Sequence, residues 1–328
     1  MRKVKNLSAS LSLVCICWLG VLSLTSAFPQ QQELPVSPSD GEGLKFYYFP
    51  TPDQQMEIVY NDLESLNASN IKPATKTIFL LDGFTSTATS PMNTYTKNNF
   101  SGRADVNVIL VDWGSLSGAE LSIGTPIEMV FSYLVAFANC ATAGDRMAEF
   151  FQFLRVNGQI EFSDMTVISH SLGCHVAGAA GKRTKALFGE RIGRIVGLDP
   201  AFQVTPWEQQ IRLQIGDAEA VEIYHTNRDG VGDSNLATGD ITMFVNGGAD
   251  QPCKEEDSEI IGKCSSHSYS WQLYNFALNN DTVKACPCKG ANCLCKRCSL
   301  DCSDPVRIGW YIPSDVRGSF YVSAGPME

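Results

Sequence analysis

The chain is 328 residues long, 44% hydrophobic and 18% charged, with a formal net charge of -10. That length fits one large domain or two ordinary ones, and the apolar content is enough for a sizeable core. The acidic balance excludes nucleic acid as an expected partner, because a phosphate backbone demands surplus Lys and Arg.

Arg2, Lys3 and Lys5 precede an apolar run from Leu11 to Leu24, and Thr25-Ser26-Ala27 then offers small residues for cleavage. Residues 1–27 therefore read as a secretory signal peptide. A membrane anchor is the competing reading, but the run is short for a bilayer and passes straight into Gln30-Gln31-Gln32-Glu33. Of the 12 cysteines, Cys15 and Cys17 leave with the signal and ten remain. An even number on an oxidising route implies disulfides, and the same route makes Asn67, Asn99 and Asn280 glycosylation acceptors on an extracellular protein.

Residues 28–43 form a polar leader, and residues 44–328 contain no linker that would divide them into two domains. Short apolar runs then recur at Leu44–Phe49, Thr77–Leu81, Val106–Val111, Met165–Ser169, Ile195–Leu198 and Ala220–Tyr224. Each has the length of a strand buried on both faces. Helix-length stretches separate several of them. In the longest, Thr125 to Val156, Met129, Leu134, Ala138, Met147, Phe151 and Leu154 recur at roughly helical spacing as a core stripe. The alternation predicts an α/β fold with a mostly parallel central sheet and helices on both faces. From residue 285 to 302 the chain is cysteine-rich, with Cys286, Cys288, Cys293, Cys295, Cys298 and Cys302 among basic residues. A zinc cluster could use such spacing, but secretion favours a disulfide-stapled loop, so no metal or other cofactor is expected.

The strand ending at Ser169 runs into Ser169-His170-Ser171-Leu172-Gly173 and then a small-residue helix start. This is the setting of a nucleophile elbow, a crowded turn that exposes the central hydroxyl. Ser171 needs a base, and the base needs an orienting carboxylate. Only four histidines exist. His170 lies within the elbow, His175 is one turn along the helix, and His225 ends a strand, which leaves His267. For the acid, Asp199 leaves a strand end ahead of Pro200, and the order Ser171, Asp199, His267 is the one this fold uses.

These stretches resemble the pancreatic-lipase family of animal lipases and phospholipases A1. The resemblance rests on Leu81-Asp-Gly-Phe-Thr85, Asn107-Val-Ile-Leu-Val-Asp-Trp113, His170-Ser-Leu-Gly-Cys-His-Val-Ala-Gly178, Gly197-Leu-Asp-Pro-Ala201, Val245-Asn-Gly-Gly248, Gln251-Pro-Cys253 and Arg317-Gly-Ser-Phe-Tyr321. It implies an α/β-hydrolase fold, the triad Ser171, Asp199 and His267, and an oxyanion hole from the backbone N–H groups of Phe84 and Leu172. It also implies a lipid ester substrate at a membrane, micelle or droplet surface, a catalytic domain alone and no colipase. Three positions depart from the family pattern. Asp82 stands where histidine is usual, and its carboxylate would oppose an oxyanion unless it points away. Ser169 replaces the first elbow glycine, and Tyr269 takes a place where arginine is frequent.

The resemblance further implies a disulfide between Cys253 and Cys264 that closes a lid, here only Lys254 to Lys263, with Glu255, Glu256 and Asp257 among its charged residues. In relatives, short lids accompany phospholipase A1 activity and long amphipathic lids accompany triacylglycerol hydrolysis. A phospholipase A1-type enzyme acting on polar glycerolipids is therefore the expected function. The alternatives are a triacylglycerol lipase of the same mechanism and a non-catalytic lipid-binding scaffold such as the insect yolk proteins.

Overall fold

The computed structural model describes residues 43–121, 124–202, 211–233, 239–252, 265–294 and 302–326. Residues 1–42, the segment from Cys253 to Cys264, and Cys295 and Cys298 lie outside those residues.

Among the described residues, eleven strands form one sheet: β1 (Lys45–Thr51), β2 (Gln54–Glu57), β3 (Lys76–Leu81), β4 (Val106–Asp112), β5 (Met165–His170), β6 (Arg194–Leu198), β7 (Ala220–His225), β8 (Ile241–Val245), β9 (Lys284–Pro287), β10 (Val306–Arg307) and β11 (Gly318–Val322). Their order is β10-β9-β11-β8-β7-β6-β5-β3-β4-β1-β2. From β11 to β4 every pairing is parallel, and the strands outside that run pair antiparallel. The helices are α1 (Leu63–Ser69), α2 (Pro91–Phe100), α3 (Gly114–Ser117), α4 (Pro126–Gly158), α5 (Gly173–Phe188) and α6 (Tyr269–Asn279).

Period-two alternation explains why the sheet is covered on both faces. In β3, Phe79 and Leu81 join a core with Ile109, Val167, Ile195 and Val221, filled by Phe137, Phe150, Phe151 and Val176 from α4 and α5. Ile78 and Leu80 point the other way, into a second core with Val108, Ile168, Val196 and Met243, covered by α2 and α6 through Met92, Phe100, Trp271 and Tyr274.

The long helix α4 begins where the sequence supplies a cap. The Thr125 side chain accepts from Glu128 N–H, Pro126 occupies the first turn, and Gln159 closes the end in a left-handed conformation. Its buried stripe differs from the expected one. Met147, Phe151 and Leu154 are buried, but Met129 is exposed at 39% and Ala138 is exposed too, while Ala136, Phe137, Cys140 and Gly144 face the core instead. In the first two turns Pro126, Met129, Val130 and Tyr133 line a cavity, and Ile127 and Phe131 face solvent.

The cysteines also need a correction. Cys286 pairs with Cys302, and Cys288 pairs with Cys293, as a disulfide-stapled loop requires. Those four sulfurs are spent on bridges and cannot serve as zinc thiolates. However, the buried thiols of Cys140 and Cys174 make no disulfide, so the ten expected after signal removal do not all bridge. Each sits in the core as a small apolar side chain.

Helices α4 and α5 pack so closely that a Cβ at Gly144 would stand 2.4 Å from Ala179 Cβ and 2.7 Å from Ala180 N. Both neighbours are helical and cannot retreat. Gly144→Val is expected to destabilise the protein by roughly 1–3 kcal/mol through overpacking, read as a lowered midpoint in thermal or urea unfolding.

Candidate active site

The candidate residues gather at the carboxyl ends of β3, β5, β6 and β7, where an open α/β sheet places its ligands. Ser171 follows β5 directly and adopts φ 54°, a left-handed conformation uncommon for a residue with a side chain. Its backbone N–H donates to Leu198 O and its carbonyl accepts from Cys174 and Ala201 N–H, so the turn is fixed on both sides. The small residue after it is obligatory. A Cβ at Gly173 would lie 2.6 Å from Asp82 O and 2.7 Å from Leu81 O, the backbone at the end of β3. Ser169, where glycine was expected, fits because its hydroxyl donates to Val196 O of β6 at 3.0 Å.

The loop after β3 leans over this turn. A Cβ at Gly83 would stand 2.6 Å from Ser171 Cβ, 2.9 Å from its Oγ and 3.1 Å from Leu172 N. Three bonds from the segment after β4 brace the loop. Trp113 Nε1–H donates to Asp82 O, Thr85 N–H to Ser117 O, and Ser117 Oγ–H to Ser86 O. Within the loop, Gly83 N–H goes to Asp82 Oδ1 and Ser86 N–H to Gly83 O. The N–H of Phe84 has no acceptor among the described residues, nor has that of Leu172 at the start of α5. Neither N–H is therefore spent within the fold, as a donor to an oxyanion must not be.

Asp199, the residue after β6, is fully buried, again left-handed at φ 47°. Its Oδ1 accepts from Thr226 N–H at 2.8 Å and Asn227 N–H at 3.0 Å, and its Oδ2 accepts from His267 Nδ1 at 2.6 Å. These bonds orient the carboxylate toward His267 and fix which nitrogen of that ring holds the proton. Burial holds the His267 ring below the ordinary imidazole range, and the nearby charge of His170 adds to this against the opposing pull of Asp199.

The other histidines are placed as follows. His225 ends β7, buried and stacked on Phe244 at 5.3 Å. His175 lies beneath the elbow, with Nε2–H donating to Ala201 O at 2.9 Å while Nδ1 receives Leu213 N–H. It thereby ties α5 to the Asp199-Pro200-Ala201 turn. His170 was set aside in the sequence as unable to reach the hydroxyl, yet it lies in the site. Its Nδ1 pairs with Asp82 Oδ1 at 2.8 Å, and its Nε2 faces His267 O at 3.2 Å. Asp82 thus points neither at the loop's free N–H groups nor to solvent. Tyr269 turns inward, donating its hydroxyl to Gly325 O, and does not line the cavity.

Ser171, His170, Asp82 and His267 open on a cavity of about 420 Å3, whose walls include Met92, Met129, Tyr133, Phe202 and Trp271. Tyr133 stands edge-on to Phe84 and stacks on Phe202, both with centroids 5.3 Å apart. Such a wall suits an acyl chain. Sequence reading missed this rim, because helical spacing placed Met129 in the core stripe.

A family model described as Lipase matches residues 22–315. Pancreatic lipase-related protein 2 of Cavia porcellus is 32% identical over 291 residues, 84% of this chain and 62% of that protein. Pancreatic triacylglycerol lipase of Homo sapiens is 30% identical over 326 residues, 89% of this chain and 65% of that one. Inactive pancreatic lipase-related protein 1 of Canis lupus familiaris is 31% identical over 279 residues, 78% and 56%. The chain spans about three-fifths of the length of these curated relatives. Among solved structures, an esterase of Thermogutta terrifontis aligns with TM-score 0.34 and 13% identity over 56% of this chain and 66% of that one, a likeness too slight to carry weight.

Burial pushes His175 down to about 4. The unfolded ring titrates near ~6.5, so the folded chain binds fewer protons between these values. Its contribution is therefore intact above ~6.5 and is lost as the pH falls toward about 4. Stability measured by urea unfolding should drop by on the order of 3 kcal/mol more in the parent than in His175→Gln over that interval.

Proposed function

The chain belongs to the lipase family, and from that premise we propose that it hydrolyses carboxylic esters of lipids with Ser171 as nucleophile, His267 as base and Asp199 as its orienting carboxylate. The observation that carries this reading is the 2.6 Å Asp199–His267 bond at a cavity shared with a left-handed Ser171. In the proposed step, Ser171 Oγ attacks the ester carbonyl carbon as its proton passes to His267 Nε2, and the carbonyl oxygen becomes negative between the N–H groups of Phe84 and Leu172. Collapse expels the alcohol, which takes the proton from His267. A water molecule, activated by the same ring, then releases the fatty acid.

The ring's depressed proton affinity suits this role, since it leaves His267 neutral and ready to accept at neutral pH. Secretion through residues 1–27 accords with the two bridges at residues 286–302. Of the three glycan acceptors, Asn67 is exposed and Asn280 uses only its Oδ1, toward Thr282. The amide nitrogen of Asn99 donates to Asn275 Oδ1, a bond that a glycan there would have to break.

We assign polar glycerolipids as substrate and phospholipase A1-type cleavage as the reaction. The support is the short, charged Lys254–Lys263 segment, which offers little apolar surface for spreading on oil. Triacylglycerol is the second reading, favoured by the similarity to a pancreatic triacylglycerol lipase. A scaffold without catalysis is the third, since one relative of equal identity is described as inactive.

A fluorophosphonate should label the purified chain at one serine, and Ser171→Ala should abolish both labelling and ester hydrolysis while leaving the unfolding midpoint in place. Unlabelled, folded protein would establish the scaffold instead. For kcat/KM, the acid limb is expected below the ordinary imidazole range, as the lowered His267 affinity requires. On mixed micelles, release of the sn-1 fatty acid from phosphatidylcholine should outpace cleavage of long-chain triacylglycerol. The reverse order would end the phospholipase assignment and leave the serine mechanism intact.

A further inference from the structure

We propose that Asp82 and His170 form a second carboxylate–imidazole pair, a charged clamp that positions the oxyanion loop and the His267 main chain together. The proposal rests on the reading of His267 as base. Asp82 Oδ1 serves two donors, Gly83 N–H at 2.7 Å and His170 Nδ1 at 2.8 Å. By taking the Gly83 N–H, the carboxylate fixes the loop in the conformation that leaves Phe84 N–H unspent. At the other end, His170 Nε2 reaches His267 O at 3.2 Å, an oxygen that also accepts from Ser270 Oγ at 3.0 Å. The pair therefore spans the end of β3, the end of β5 and the loop leading into α6.

The charge of the pair follows from its partners. An ionised carboxylate and a peptide carbonyl can only accept hydrogen bonds. Both contacts of His170 therefore form together only when both ring nitrogens carry protons, so the ring is an imidazolium. Asp82 is ionised to match. Burial opposes its charge, but the hydrogen bond and charge of His170, together with Gly83 N–H, hold the carboxyl below its usual range. Both residues are only 7% exposed, so the pair is little screened.

Two consequences concern the site. The positive ring beside Asp82 cancels the negative charge that would otherwise face a forming oxyanion, which removes the objection to a carboxylate at this position. The same ring stands 4.5 Å from that of His267 and disfavours a second proton there. The titratable and charged groups around His170 are Asp82 just after β3, His267 ahead of α6 and, behind it, Asp199 just after β6. The remaining cavity wall contributes Met92 from α2, Met129 and Tyr133 from α4, and Trp271 from α6, of which only Tyr133 titrates.

The test uses the whole chain labelled with 15N-histidine. At neutral pH, one of the four imidazoles should show protons on both ring nitrogens, and that signal should vanish in His170→Gln. In Asp82→Asn that doubly protonated signal should be lost at the same pH. Its kcat should fall by about tenfold or more, the worth of a charged hydrogen bond, with KM within about twofold. Asp82→Glu should restore part of both. A neutral His170 ring in the parent at neutral pH, or an Asp82→Asn variant with unchanged ring signal and kcat, overturns the clamp. A doubly protonated His170 in a chain that hydrolyses no ester keeps the clamp and refutes the hydrolase reading, so the two failures remain distinguishable.

Discussion

The site depends on one close contact, the approach of the first turn of α5 to the end of β3. Neither Gly173 nor Gly83 has room for a side chain, because the Cβ of each would intrude to 2.6 Å on its neighbour. This contact carries the loop after β3 over Ser171 and brings two backbone N–H groups beside one hydroxyl. It also explains why strained residues persist here. Left-handed conformations at Ser171 and Asp199 cost on the order of 1–3 kcal/mol each. The surrounding sheet holds them through Leu198 O, Tyr224 O and the braces from Trp113 and Ser117.

The second theme is buried charge. Asp82 and Asp199 both lie at strand ends, both are largely or wholly buried, and each accepts backbone N–H together with an imidazole. A carboxylate taken out of water survives only with such partners. The parallel sheet supplies them economically, since strands β3, β5, β6 and β7 end at the same level and leave their next residues free to meet. The two pairs then share an interface through His170 and His267, whose rings lie against each other.

Much of this was legible in the sequence. The six apolar runs named there each fall on a strand of the central sheet or its antiparallel flank. The order of Ser171, Asp199 and His267 was enough to select the residues that the fold brings to one end of the sheet. Strands β9 and β10 were not legible, because Lys284–Pro287 and Val306–Arg307 have no apolar run and are strands only through their pairing. His170 was not legible as a partner of Asp82, for a related reason. Its neighbours in sequence placed it inside the elbow, but its role comes from Asp82, 88 residues earlier, and no local pattern announces such a pairing. The thiols outside disulfides were missed because parity counts cysteines without knowing which ones the core encloses.

The sequence separations within the site carry a consequence for the time course of folding. Asp199 and His267 are 68 residues apart, and His170 is 97 residues from His267. None of these contacts can close until the intervening parallel strands have found their register, and non-local pairing of this kind is slow. During synthesis the residues of the Ser171 turn emerge well before His267. The arrangement around the cavity is therefore complete only once the last third of the chain has docked against the sheet.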